Sequence, residues 1–217
     1  MRIKSIEYNQ EDLKFIDSLL AREDFTHNFW NKNTQKKENR PEVLEKPIEK
    51  LKIKIKNYYK KNQKYKCPYC YNEYPIDHNL AWWTEHIIPK SKNKLLMFEP
   101  LNLCVACIEC NKIKANKNVF VDGEKKSLSK KSVDYKIVHP HFDNYLEHID
   151  KNGYFYTAVT NSSKGLETIV MCDLARFISM GLDGEERSSE LIDFYDTQKI
   201  SEEDIDALVA EFADDFL

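Results

Sequence analysis

The 217-residue sequence predicts an α+β fold in which a small cysteine-clamped finger, from 67 to about 117, sits inside a mostly helical frame. Three observations carry this. Cys67-x2-Cys70 and Cys107-x2-Cys110 form two chelating pairs on distant segments. Apolar residues recur at helical steps before and after the finger. Asn152-Gly153, flanked by aromatic and β-branched residues, marks a hairpin beyond it.

The chain is long enough for one catalytic or binding domain with elaborations, but not for two large ones. A hydrophobic fraction of 41% excludes a wholly disordered chain. The formal net charge of -3 argues against a nucleic-acid partner only if the charge is evenly spread. It is not: between 50 and 66 lie eight lysines and no acid, and from 183 onward thirteen acids face only Arg187 and Lys199. The start, MRIKSIEYNQEDLKF, has no apolar central segment or cleavage site, and no run reaches membrane-spanning length. A cytoplasmic protein with no membrane partner is expected. In that reducing compartment paired cysteines are read as metal ligands before disulfides.

Segment 1–66 is expected to be a helical, lysine-rich extension. Phe15, Leu19 and Leu20 follow Asp12 at near-helical spacing, and the aromatic pair Phe29 and Trp30 comes next. The polar stretch 31–41 reads as a loop. From 42 to about 62, Val43, Ile48, Leu51, Ile55 and Tyr58 recur at helical steps, with a start near Pro47, although Ile53 and Lys54 would also fit a strand. The lysines here, with Tyr58, Tyr59 and Tyr65 between them, suit either a phosphate-tracking, base-stacking face or a solvated helix face. Segment 67–120 holds the finger. In 121–217, Asp122-Gly123 marks a turn, a helix is expected from about 165, and a last acidic helix opens at Ser201 with Ile205, Leu208, Val209, Phe212 and Phe216 on one face.

Four thiolates in two short-spaced pairs, Cys67, Cys70, Cys107 and Cys110, match a structural Zn2+ site, which is tetrahedral and closed. Cys104, beside Leu103 and Val105, and Cys172, in IVMCDL, suit buried core thiols instead.

Between and after the pairs stand Thr84-Glu85-His86-Ile87-Ile88-Pro89-Lys90-Ser91, Asn102-Leu103, and Cys110-Asn111-Lys112-Ile113-Lys114. In this order they resemble the HNH endonuclease family, whose elements are D/E-H-x-x-P-K-S, N-L and C-x-x-C-[HN]-x-x-K. The resemblance implies a ββα-metal (His-Me) finger: a strand ending at His86, a loop to Pro100, a strand from Asn102 to Val105, and a helix over about 106–117. It implies His86 as general base, Asn102 holding the loop that positions it, and Asn111 with Glu85 holding a catalytic Mg2+ or Mn2+. Lys90 and Lys114 would meet phosphate. The chemistry agrees: imidazole is poised to take a proton near neutral pH, and a hard cation takes oxygen ligands. Glu stands where Asp is commoner, which leaves direct or water-mediated ligation by Glu85 open.

His139-Pro140-His141-Phe142-Asp143 with His148, and the later Gly165, Glu167, Thr168, Ile169, Leu174 and Arg176, resemble the segment that follows the finger in PtuB-type nucleases of Septu and retron-associated anti-phage systems. That similarity implies a PtuA-like ATPase partner and a DNA substrate, with RNA also open. The three histidines read as core hydrogen-bonders or as a second metal site. A zinc-finger nucleic-acid-binding subunit without catalysis is the alternative from another class.

Overall fold

The computed structural model describes residues 2–31, 41–75, 81–123 and 125–181. The loop expected at 31–41 lies almost wholly outside them, and the acidic helix expected from Ser201 lies entirely outside. The described part mixes helices with two small antiparallel sheets, and everything up to 177 belongs to one compact unit.

Helix α1, Gln10–Leu20, begins where Asn9 and Asp12 bond each other's backbone in a capping box, and it buries Ile16 and Leu19. Helix α2 is Glu42–Asn62, so it starts five residues before Pro47 and carries that proline inside. The missing N–H leaves a carbonyl one turn back, at Val43, whose side chain is exposed. Ile48, Leu51, Ile55 and Tyr59 form the inward stripe, while Val43 and Ile53 face out and Tyr58 is only half-buried. The periodicity is helical, as expected, but the stripe ends on Tyr59. Each fully buried aliphatic side chain on it contributes roughly 1.5–3 kcal/mol.

Strand β1, Trp82–His86, pairs with β2, Leu103–Cys107, in the register Trp82 with Cys107 and His86 with Leu103. All five β2 residues are buried. The far edge of β2 is closed by Gln63 at the end of α2, whose side-chain amide accepts from Val105 N (2.8 Å) and donates to Val105 O (2.7 Å). One buried amide thus satisfies both backbone groups of a residue and fastens α2 to the sheet. Helix α3, Ile108–Lys114, follows directly. The second strand begins one residue after Asn102 and runs on to Cys107, and the helix ends at Lys114 with Ala115 at φ 43°. Both are shifts from the expected bounds.

The stretch after α3 carries only short 3-10 turns up to 147. It is held by side chains. Asp143 accepts from His139 N (2.7 Å) and from Ser132 and Lys164, and the Tyr135 hydroxyl accepts from Ser129 N (3.0 Å) and donates to Ser129 O (2.8 Å). Strands β3, Ile149–Asn152, and β4, Phe155–Ala158, form the expected hairpin, with the loop on Gly153-Tyr154. Gly153 has φ 59°, which a side chain would strain. Helix α4, Ser163–Met171, is capped by Ser162, and α5 is Arg176–Gly181. At Gly165 an added Cβ would stand 2.0 Å from His148 O, so only glycine lets α4 seat there. Among the described residues no helix is long and apolar enough to cross a membrane.

Candidate metal centre and adjoining cleft

The two cysteine pairs converge. The Sγ atoms of Cys67, Cys70, Cys107 and Cys110 all lie within 4.8 Å of one another, and all four residues are buried. Sulfurs at corners of a tetrahedron around Zn2+ stand about 3.8 Å apart for a Zn–S bond of about 2.3 Å. Cys70 and Cys107 Sγ are 4.0 Å apart, so the box fits that ion. Backbone N–H groups of Cys107 and Cys110 point at Cys67 and Cys107 sulfur (3.5 Å each), the arrangement that supports thiolate charge. Burial pushes the Cys67 thiol up, while hydrogen bonds from Cys110, Cys67 and Cys70 pull Cys107 strongly down. Thiols ligate as thiolates, so a dication seated in this dry box would displace their protons and balance the charge of the sulfurs it gathers.

Later residues brace this box. Tyr145 donates to Tyr69 O (2.9 Å) and Tyr156 to Cys70 O (2.8 Å), and Tyr145 stacks on Tyr71 at 4.5 Å. Arg176 places Nη2 3.1 Å from Cys110 Sγ and anchors Nη1 on Cys172 O and Asp173 O. A guanidinium fixed on a metal thiolate offsets its negative charge and orients it, and loss of such a partner lowers metal affinity about 10- to 100-fold. Arg176→Met is therefore expected to give up zinc to a chelator about tenfold or more sooner than the parent chain. Equal retention in a competition titration would reduce the contact to packing. Cys104 and Cys172 stand outside the box as buried thiols, and burial pushes Cys172 up to about 12.

A cleft of about 980 Å³ opens beside β1 and α3, and its walls include Trp30, Lys52, Trp83, Glu85, His86, Lys90 and Asn111. His86 ends β1. Its ring sits edge-on against Trp30 at 4.6 Å, and Nε2 lies 3.0 Å from Met97 O. A carbonyl can only accept, so Nε2 carries the hydrogen and Nδ1 the lone pair. Burial, and then Lys90, holds the imidazole down to about 3, so it is neutral at ordinary pH.

Asn102 is fully buried and bonds the loop that follows His86: Oδ1 accepts from Ile88 N (2.7 Å), and Nδ2 donates to Ile88 O and Leu96 O (3.1 Å each). It thereby fixes the chain between the two strands, including the approach to Met97. Glu85, the residue before His86, lines the same cleft. Its Oε1 takes Lys114 Nζ at 2.6 Å and Tyr69 OH at 3.2 Å, and its Oε2 takes Asn111 Nδ2. Burial raises the Glu85 carboxyl, and Lys114, Tyr69 and Lys90 oppose that rise. Asn111 Oδ1 has no partner among the described residues.

One sequence expectation is corrected, and one of the two readings left open for the lysine-rich run is narrowed. Lys114 does not face a phosphate: it is fully buried, paired to Glu85, and 3.3 Å from His86 O. The tyrosines of α2 do not line a base-stacking face, since Tyr59 is in the core bonding Pro100 O and Tyr58 bonds Ser5 O. Lys90 is half-buried in the cleft wall, and Lys52 and Lys56 of the lysine run line the same cleft. The aromatic that is exposed there is Trp83, at 41%. His139 and His141 are buried; His141 reaches Ile3 O (3.0 Å) and Leu103 O (2.8 Å), and His148 reaches Ser162 Oγ (2.8 Å). Among the described residues the four cysteines are the one group of three or more His, Cys, Asp or Glu side chains whose ligand atoms lie close enough to share an ion.

Sequence reasoning missed Tyr69, Met97 O and Trp83. Tyr69, between the first two cysteines, was the one with a signal, since the chelate carries it inward. Comparison with protein-family models, curated proteins and solved structures finds no match to this chain.

Proposed function

We propose that this chain is a metal-dependent endonuclease of the HNH, ββα-metal type, hydrolysing phosphodiester bonds in DNA, with RNA as the second substrate class. The observation that carries the reading is the grouping of a neutral, oriented imidazole with a carboxylate and an amide in one cleft beside a four-cysteine box. His86 takes a proton from the attacking water on Nδ1, because Met97 O occupies Nε2. Asn102 keeps that carbonyl and the loop in place. Glu85 and the Asn111 side-chain oxygen are the donors suited to a hard cation, and a bound Mg2+ or Mn2+ would stabilise charge on the departing oxygen. Lys90, Lys52 and Lys56 supply positive potential along the cleft, and Trp83 offers a ring for a base.

The resemblance to Septu-type nucleases extends the proposal to an anti-phage effector working with a PtuA-like ATPase. The test is cleavage of plasmid DNA and of RNA by the zinc-loaded chain, with and without Mg2+, alone and with an ATPase encoded beside it. Mg2+-dependent nicking or degradation is expected. Nucleic-acid binding that ignores Mg2+ and leaves every substrate intact in all four conditions would make the chain a zinc-dependent reader instead.

A further inference from the structure

Glu85 is the carboxylate that a divalent cation would approach, and the fold already gives it a cation. Lys114 is fully buried, its ammonium 2.6 Å from Glu85 Oε1, and both side chains are almost wholly removed from water. Glu49, another carboxylate of the cleft, is likewise paired, with Lys52 at 2.8 Å. Lys90 stands in the same wall. A bare dication entering here meets carboxylates whose charge is already balanced, and a buried ammonium a few ångströms behind its ligand. Mg2+ sites of this kind are completed by substrate phosphates.

We infer that the free chain holds its catalytic cation weakly, and that cation and nucleic acid bind together because the phosphate supplies the negative charge that Lys114 withholds. This rests on the nuclease reading above. It makes Lys114 a positioning residue that sets the order of assembly and keeps a hydrolytic site idle until a substrate arrives. By linkage, the cation strengthens nucleic-acid binding by the factor with which nucleic acid strengthens cation binding.

The experiment titrates Mn2+ into the zinc-loaded His86→Gln chain, following free Mn2+ by electron paramagnetic resonance, with and without a DNA duplex and after subtraction of DNA alone. Mn2+ affinity at least tenfold higher with DNA is expected. Lys114→Met, checked for zinc content and melting temperature, should raise Mn2+ affinity of the DNA-free chain by at least tenfold. If that variant does not fold, the DNA comparison on the Lys114 chain decides alone. Equal Mn2+ affinity with and without DNA overturns the inference, and the nuclease reading survives if Mg2+-dependent cleavage by the parent chain persists. No Mn2+ uptake in either arm, with no cleavage, overturns both.

Discussion

Replacing His86 with glutamine is expected to lower kcat/KM for phosphodiester cleavage about a thousandfold while zinc content and melting temperature stay close to those of the parent chain. General-base catalysis contributes about 10²- to 10⁴-fold, and the residual rate would come from charge stabilisation alone. Glutamine retains an amide donor for Met97 O and removes the nitrogen lone pair that His86 presents on Nδ1. Single-turnover rates, zinc analysis and a thermal melt on one preparation separate loss of chemistry from loss of fold. Undiminished cleavage would remove His86 from the mechanism. The pH dependence follows from the burial of the ring. The base must be neutral, and burial brings its pKa down to about 3, so kcat/KM of the parent chain should not fall through the usual histidine range near 6.5. The same shift acts on stability: the unfolded chain takes up a proton that the folded one refuses. The stabilisation is fully present above about 6.5 and is lost as pH falls toward about 3. His139 and His141 are shifted in the same direction by burial, so acid unfolding should steepen across that window.

The second large effect is expected at the cysteine box. Cys67→Ser should reduce bound zinc below one ion per chain and lower the melting temperature by about 10 °C or more. Metal binding of this kind is itself folding free energy, and a chain of this size loses about 2–4 °C for each kcal/mol. Cleavage should fall as well, by a route different from that of His86. Cys107 caps α3 and Cys110 lies within it, next to Asn111. Releasing the ion loosens the helix that carries Asn111 and Lys114 to Glu85. Elemental analysis with calorimetry checks this, and an unchanged zinc stoichiometry would exclude Cys67 from the ligands.

The contrast between these substitutions shows what was legible in the sequence. The cysteine spacing announced a box, and the four sulfurs do converge. The hairpin at Gly153 was legible because a turn glycine between aromatic and β-branched residues is a local signal, whereas the strand that ends at His86 was expected only from the resemblance of its motif. Lys114 was misread, although a signal was present. Cys107, Cys110, Asn111 and Lys114 stand at i, i+3, i+4 and i+7, which is one helical face, and two of its members are buried sulfur residues. A lysine on that face goes inward and needs a carboxylate, which Glu85 supplies. The stretch from 115 to 148 had no such signal. Its shape depends on Asp143 and Tyr135 bonding particular backbone groups, and no periodicity reports such bonds. The role of Met97 was illegible for a related reason, since it acts through a carbonyl oxygen that every residue has.

The hydroxyls of Tyr145 and Tyr156 on the backbone of Tyr69 and Cys70 bear on where the finger can be severed. A peptide cut near 120 keeps all four sulfurs of the box and every cleft side chain of β1 and α3, yet leaves those two carbonyls without donors and Cys110 without Arg176. Transplanted alone into another protein, it would lack the lining that keeps its first knuckle dry, so the smallest portable form of this unit extends at least to 177.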